Sequence, residues 1–455
     1  MNKENQDTMY VELKVIKTES LAKVIIPKID YAVSNNEKND SLEVYVTNNI
    51  FDDSPIWEEC TEKAINNDIY EFKNKKAECE PGISLKVLMK KPKVENPRDN
   101  AYGVRWNTKT GEVTRLGKAI GLNASTNGVN NFDSIYPWSE VKRCNMKLKS
   151  LEIIGVEGVN GYETNYLGGS GEALVQIKKF YYMIEKDSEY VDYYVSKEKL
   201  EGFELHPAFY RDLESNNNEL GGKLSQVDVR YRSAMLASYL NILPMSRAEK
   251  MPKTNMTIDQ ARGFVKKVNP GWSLLDYNLH SAIQLLYLIE YASFNSRECI
   301  GYGYDGSDSK IKCGSTISLG NKSGNTGNKE DKDKSVSYRG MEDIWGNAEY
   351  FIDGIITNDK GKIMIGSNGF NNSGTGYEEI SDTVVGQGFM SNVSLSGGGF
   401  VPTLFNDNSI GIYDKQIIEK SSIFVSGSNG DEGLFSLRSK PQNYNSANTS
   451  FVFAY

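Results

Sequence analysis

Ser337-Tyr-Arg-Gly-Met-Glu-Asp-Ile-Trp-Gly-Asn-Ala-Glu-Tyr-Phe-Ile-Asp-Gly354 is the stretch around which the chain is organised. Trp345-Gly346-Asn347 permits a tight bend, and Tyr350 and Ile352 then alternate with Phe351 and Asp353 until Gly354 ends the run. Glycine and asparagine tolerate turn geometry, and alternating aromatic and β-branched residues suit a pleated, half-buried surface. A turn feeding a buried strand is expected here.

Toward the N-terminus the period is that of strands. Val11-Glu-Leu-Lys-Val-Ile16, Ala22-Lys-Val-Ile-Ile26, Leu42-Glu-Val-Tyr-Val-Thr47 and Ile83-Ser-Leu-Lys-Val-Leu-Met-Lys90 alternate, and polar clusters such as Ser34 to Asp40 separate them. Residues 1–92 therefore read as an antiparallel β-sandwich with one wet face per strand. Residues 93–100 are charged, carry a proline and have no period, which marks a linker, and a second domain is expected over 101–455.

Within that domain Val175 to Ile184 reads as a core strand, and Thr257-Ile-Asp-Gln260 is a capping-box pattern. Ile258, Ala261, Phe264, Val265 and Val268 then share one helical face until Asn269-Pro270-Gly271 stops it. A second helix is expected from about Ser273 to Phe294, with Ala282, Leu285, Leu286 and Ile289 on one apolar stripe. Ile300-Gly-Tyr-Gly-Tyr-Asp-Gly306 lacks the strand, spacing and helix of a dinucleotide fingerprint, and Leu319 to Lys334 reads as a polar loop. After Thr357 the sequence is rich in Gly, Ser and Asn, with short strands at Gly386–Met390, Gly397–Val401, Ser422–Ser426, Gly433–Arg438 and Phe451–Tyr455. The fold class is α+β.

The Tyr-Arg-Gly-x-Glu-Asp-Ile-Trp-Gly-Asn run, carried by Tyr338, Arg339, Gly340, Glu342, Trp345, Gly346 and Asn347, resembles the core motif of formylglycine-generating-enzyme-like domains. These are a branch of the C-type-lectin fold, found in tail and receptor-binding proteins of phages and phage-tail-like particles of Gram-positive bacteria. Asp53 to Thr61, Tyr102 to Trp138 and the closing Phe451-Val-Phe-Ala-Tyr455 are similar to segments of the same tail proteins, so the resemblance covers roughly residues 100 to 455. It implies a C-type-lectin-like domain with two helices and glycine-rich loops. The oxygen-activating enzymes of this fold use a cysteine pair late in the domain, whereas no cysteine follows Cys313 here. No enzymatic activity is expected.

Composition narrows the partners. A net charge of −8 supplies no basic excess for nucleic acid, and no apolar run is long enough for membrane insertion. The N-terminus, Met1 to Asp7, shows no secretory signal, which fits assembly in a bacterial cytoplasm and release by lysis. Cys60, Cys79, Cys144, Cys299 and Cys313 form no Cys-x-x-Cys pair, and with only His206 and His280 beside them no zinc site is expected. Buried thiols are favoured over a Cys299–Cys313 bridge, and His206, before a proline with no nucleophile in sight, reads as structural. Asp305, Asp343 and Asp353 are available for a structural calcium ion, yet Asp-rich turns are common without one, so no cofactor is expected. Glu342/Asp343 and Glu349/Asp353 read as partners of backbone donors and of Arg339 rather than as an acid–base couple.

The expected function is that of a tail receptor-binding protein recognising a bacterial surface glycan or wall polymer. It would act as a homo-oligomer, with a trimer favoured, beside other tail or baseplate proteins on the particle. Aromatic and amide residues of the late loops suit sugars, and the candidate contacts are Tyr377, Phe405, Asn406, Tyr413, Asn429, Asn443 and Tyr444. A non-binding tail component and a surface-glycan-processing enzyme are the alternatives. Diversification of the late loops by a retroelement is a variant of the first reading.

Overall fold

The computed structural model describes the strands of residues 1–95, and residues 96–455 except 108, 160–161, 213–222, 241–242, 270, 306–308, 380–388, 395–398, 404–419 and 428–432. The chain divides into two compact units, Met1–Asn96 and Pro97–Tyr455. The first holds two antiparallel sheets of four strands. One orders Thr8–Leu13, Leu85–Lys90, Glu43–Thr47 and Glu58–Glu59; the other orders Ile16–Thr18, Leu21–Ile26, Ile69–Lys73 and Glu62–Asn66. Glu62–Asn66 and Ile69–Lys73 pair antiparallel, with Asn66 opposite Ile69.

In the second unit, residues 97–100 form a 3-10 turn, and Arg98 meets Glu185 in an ion pair. Part of the expected linker therefore belongs to this unit. A five-stranded antiparallel sheet orders Val113–Gly117, Tyr102–Asn107, Tyr190–Ser196, Tyr181–Lys186 and Glu204–Leu205. A six-stranded sheet orders Glu152–Val156, Lys142–Lys147, Glu172–Lys178, Val229–Ser233, Phe453–Ala454 and Ser273–Leu274. The run Val175 to Ile184 is thus two strands in two different sheets, broken at Lys179-Phe180. The closing segment inserts between strands far away in sequence, pairing Ala454 with both Arg232 and Ser273.

The third sheet is built on Glu349–Thr357, every residue of which is buried. It pairs with Ser422–Ser426 on one side and Ile363–Ile365 on the other, and Thr449–Ser450 joins it in parallel. A strand covered on both faces has no polar side, which explains why Glu349 and Asp353 need internal partners.

Three α-helices stand among the described residues. Helix α1, Ile258–Lys266, begins in the expected capping box: Thr257 Oγ1 accepts from Gln260 N–H, and Gln260 Oε1 accepts from Thr257 N–H. Helix α2, Tyr277–Tyr291, starts later than the sequence suggests, because Ser273–Leu274 is taken into the sheet and Asp276 is the N-cap. It is buried on every side through Glu290, so the apolar stripe is only part of its packing surface. Arg115 donates to the carbonyls of Ile289 and Glu290, satisfying the last turn with a cation where the helix dipole favours one. Helix α3 is the single turn Ser296–Cys299.

Several expectations meet definite outcomes. His206 is fully buried among Phe180, Tyr182 and Phe209, and its Nδ1 accepts from Ala208 N–H at 3.2 Å. Cys144, Cys299 and Cys313 are free thiols, so no bridge joins Cys299 to Cys313. The polar run after Leu319 contributes the strand Gly324–Asn325, which pairs with Val336–Tyr338. Gly433 to Leu437 is a buried loop rather than a strand, and pairing begins at Arg438. No described helix is long and apolar enough to cross a membrane. Trp57, Cys60 and Cys79 lie outside the described residues.

Candidate functional site

The motif is a scaffold whose polar groups point inward. Arg339, Asp343 and Asn347 all take the left-handed backbone conformation, with φ of 46°, 46° and 60°, and Gly340 and Gly346 take it at 81° and 85°. A Cβ on Gly346 would lie 2.8 Å from Tyr304 O, so only glycine fits there. Trp345 Nε1 donates to Gly301 O at 3.0 Å, and Gly303 closes on the indole from the same run, which gives Gly301 and Gly303 their role as a cradle for it.

Arg339 does not pair with Glu342 or Asp343. It reaches Glu290 of α2, with Nε to Oε2 and Nη2 to Oε1 both at 2.7 Å. Glu342 accepts from Gly314 N–H at 2.6 Å and from Thr316 N–H and Oγ1, both at 2.7 Å, as expected of a carboxylate serving backbone donors. Asp343, buried and beside the Glu342 charge, has its carboxyl raised to about 8, with Asn347 Nδ2 donating to it at 2.9 Å. Glu349 accepts from Tyr444 Oη at 2.7 Å and from Thr449, while Asp353 is held by Arg262 Nε at 2.9 Å and Nη2 at 2.6 Å. Both oxygens of Asp353 and Oδ2 of Asp343 are thus occupied by protein partners. Among the described residues no cluster of three or more His, Cys, Asp or Glu side chains could hold a metal ion. Burial pushes the Cys144 thiol up to about 12 and raises that of Cys313 well above its usual value, the opposite of what thiolate chemistry needs.

From this scaffold a network runs outward to a polar surface. Arg262 extends its Nη1 to Asp259 Oδ1 at 2.8 Å and to Asn372 Oδ1 at 2.6 Å, and Asn372 Nδ2 donates back to Asp259 Oδ2 at 2.9 Å. Gln442 Nε2 donates to Asn372 O at 2.7 Å, and Asn255 N–H donates to Ser446 O at 3.0 Å. These bonds join the start of α1, the Asn371–Tyr377 loop and the Gln442–Asn448 turn into one face. Its outer groups are hydroxyls and amides: Ser373 and Thr375 on the loop, Asn443 and Asn445 on the turn, with the Asn371 side chain donating inward to Gly369 O and Thr375 O.

The candidate contacts fall in different places. Asn443 is exposed on this face, and Tyr444 stands half-buried beside it with Lys440 Nζ 4.7 Å from its ring centroid. Tyr377 is a core residue, 7% exposed, whose Oη accepts from Asn371 N–H at 3.0 Å, so its ring shapes the loop and is not a contact surface. Phe405, Asn406, Tyr413 and Asn429 lie outside the described residues.

Next to the face, along the outer side of α1, runs a groove that the helical period of the sequence does not mark. It is lined by Lys253, Asn255, Met256, Gln260, Gly263, Phe264 and Lys267, and Tyr239 stacks on Phe264 with ring centroids 5.8 Å apart. The helical period places Phe264 on the buried face, whereas it stands half-buried at the groove's edge. The available signal was the glycine at 263 inside a helical run, which costs about 1 kcal/mol against alanine and asks for a reason.

The sequence matches no protein-family model and no curated protein.

Proposed function

We propose that this protein is the receptor-binding component of a phage tail or phage-tail-like particle, in which residues 97–455 form a C-type-lectin-like domain that recognises a bacterial surface glycan. The observation that carries this reading is the hydrogen-bonded face made by α1, the Asn371–Tyr377 loop and the Gln442–Asn448 turn. Amides and hydroxyls complement sugar hydroxyls, and loops already fixed by internal bonds lose little freedom on binding. The resemblance of the Tyr338–Asn347 motif and the strand-built first unit, which suits attachment, support the same reading. Recognition without chemistry agrees with a motif whose carboxylates serve backbone donors and arginines. Modest affinity per copy would be multiplied by several copies on a particle.

The test is binding of the fluorescently labelled full chain to intact Gram-positive cells and to isolated walls before and after glycan removal. Saturable binding that disappears with the glycans supports the reading. Equal binding to stripped walls, or none even after the chain is multimerised, overturns it.

A further inference from the structure

We infer that the groove on the outer side of α1 binds an anionic, hydroxylated unit of a saccharide or polyol polymer. This rests on the receptor-binding reading and names the ligand class for that face. The groove holds about 390 Å³, enough for one sugar-sized unit. Its charge is opposite to that of the chain: net −8 overall, yet Lys253 and Lys267 line the groove and no acidic side chain does. Among the described residues neither ammonium has a carboxylate partner.

The rings hold the two cations in place. Lys253 Nζ lies 5.1 Å from the Tyr239 centroid and Lys267 Nζ lies 5.5 Å from the Phe264 centroid, while the two rings stack on each other. Cation–π contact positions each ammonium without neutralising it, as a carboxylate would, so both remain available to an anion. Tyr239 is 46% exposed beside Phe264.

The floor supplies the second observation. Gly263 lies within α1, where a Cβ would meet nothing within 4 Å, so neither packing nor backbone conformation requires glycine. A glycine that weakens the helix and touches nothing gains only depth in the groove. Gln260, whose Oε1 is used by the capping box, keeps its amide N–H groups for a ligand oxygen, and Asn255 is exposed across from it. One anionic charge and several hydroxyls match this lining. A uronate sugar and a phosphodiester-linked polyol share that chemistry.

The test is calorimetric titration of the full chain with three probes: poly(glycerol phosphate), trigalacturonate and neutral chitotriose. The parent protein should bind one of the anionic probes, and which one names the source; chitotriose should not compete. The K253E/K267E and G263W variants, melting as the parent does, should bind at least ten-fold more weakly. Binding should also fall as salt rises. No anionic-probe binding by the parent, or undiminished binding by both variants, overturns the inference. Cell binding separates the two proposals: K253E/K267E attaching to cells as the parent does sinks the groove and leaves the receptor reading standing. Anionic-probe binding lost in the variants, with no attachment of the parent to cells, does the reverse.

Discussion

Arg339 and Glu290, 49 residues apart, meet in a bidentate pair inside the core, and Tyr338 Oη adds a third bond to the same carboxylate at 3.0 Å. The pair clamps the motif loop to α2, and Arg339 Nη1 also reaches Trp138 O at 3.1 Å. Both side chains are almost wholly removed from water, so the pair specifies the arrangement more than it adds net stability.

Breaking that clamp from one side should be severe. Arg339→Met leaves Glu290 charged and buried, and a loss of about 3–5 kcal/mol is expected in denaturant unfolding. Arg339→Lys should rescue little, because one ammonium cannot reproduce the planar fork. A lysine variant as stable as the parent would contradict the bidentate role.

Two buried groups set opposing pH dependences. Asp343, raised to about 8 by burial and by Glu342, binds a proton in the fold that the unfolded chain has released above about pH 4, so its contribution falls as pH rises from about 4 to 8. His280, lowered to about 3 by burial and by Arg232, stays neutral where the unfolded chain protonates, so its contribution falls as pH drops from about 6.5 to 3. Above about pH 6.5 only the Asp343 slope remains, at most about 1.4 kcal/mol per unit. Asp343→Asn should flatten stability between pH 6.5 and 8, read by urea midpoints at both values. A slope unchanged from the parent would refute the assignment.

Helix α1 offers a paired test. Thr257→Ala removes the cap and should cost about 1 kcal/mol. Gly263→Ala should add about 1 kcal/mol, since its Cβ meets open space and its backbone is helical. Thermal melts that move in opposite directions are the expected result.

Gly303→Ala should destabilise through two effects at one position. Its φ of +82° disfavours a side chain by about 1–2 kcal/mol, and a Cβ would lie 3.0 Å from Trp345 Cδ1 and from Trp345 O. Trp345 fluorescence should change with the cradle, and an unchanged spectrum and melting point would argue against it.

Tyr377→Ala should act through the fold. Removing a buried ring, bonded to Asn371, from the core cluster that also holds Phe351 and Ile356 should cost about 3–5 kcal/mol. Tyr377→Phe should retain most stability. Asn443→Ala, on an exposed turn, should leave the melting point unchanged, so any loss of glycan binding there reports contact.

Local pattern carried the reading where the signal was local. The capping box, the helix stop near Asn269, the strand Ser422–Ser426 and the turn into Glu349–Thr357 could all be seen in neighbouring residues. Pattern is ambiguous where one apolar run serves two structures. Val175 to Ile184 looks continuous, yet its halves belong to different sheets, and Ser273-Leu274 has no mark separating it from the helix that follows. On the polar face, Asn443 is legible as a polar turn residue, whereas the sequence does not distinguish Tyr377 from an exposed aromatic, because its burial depends on a core cluster drawn from distant segments.

The sequence by itself determined the class of elements, the α+β character, the turn chemistry of the motif and the acidic net charge, since each follows from nearby residues or simple sums. Only the tertiary structure decided that Arg339 pairs with Glu290 and not with its neighbouring carboxylates, and that Lys253 and Lys267 flank one stacked pair of rings. A buried charge takes whichever partner the fold carries within about 3 Å, and sequence distance does not measure that separation.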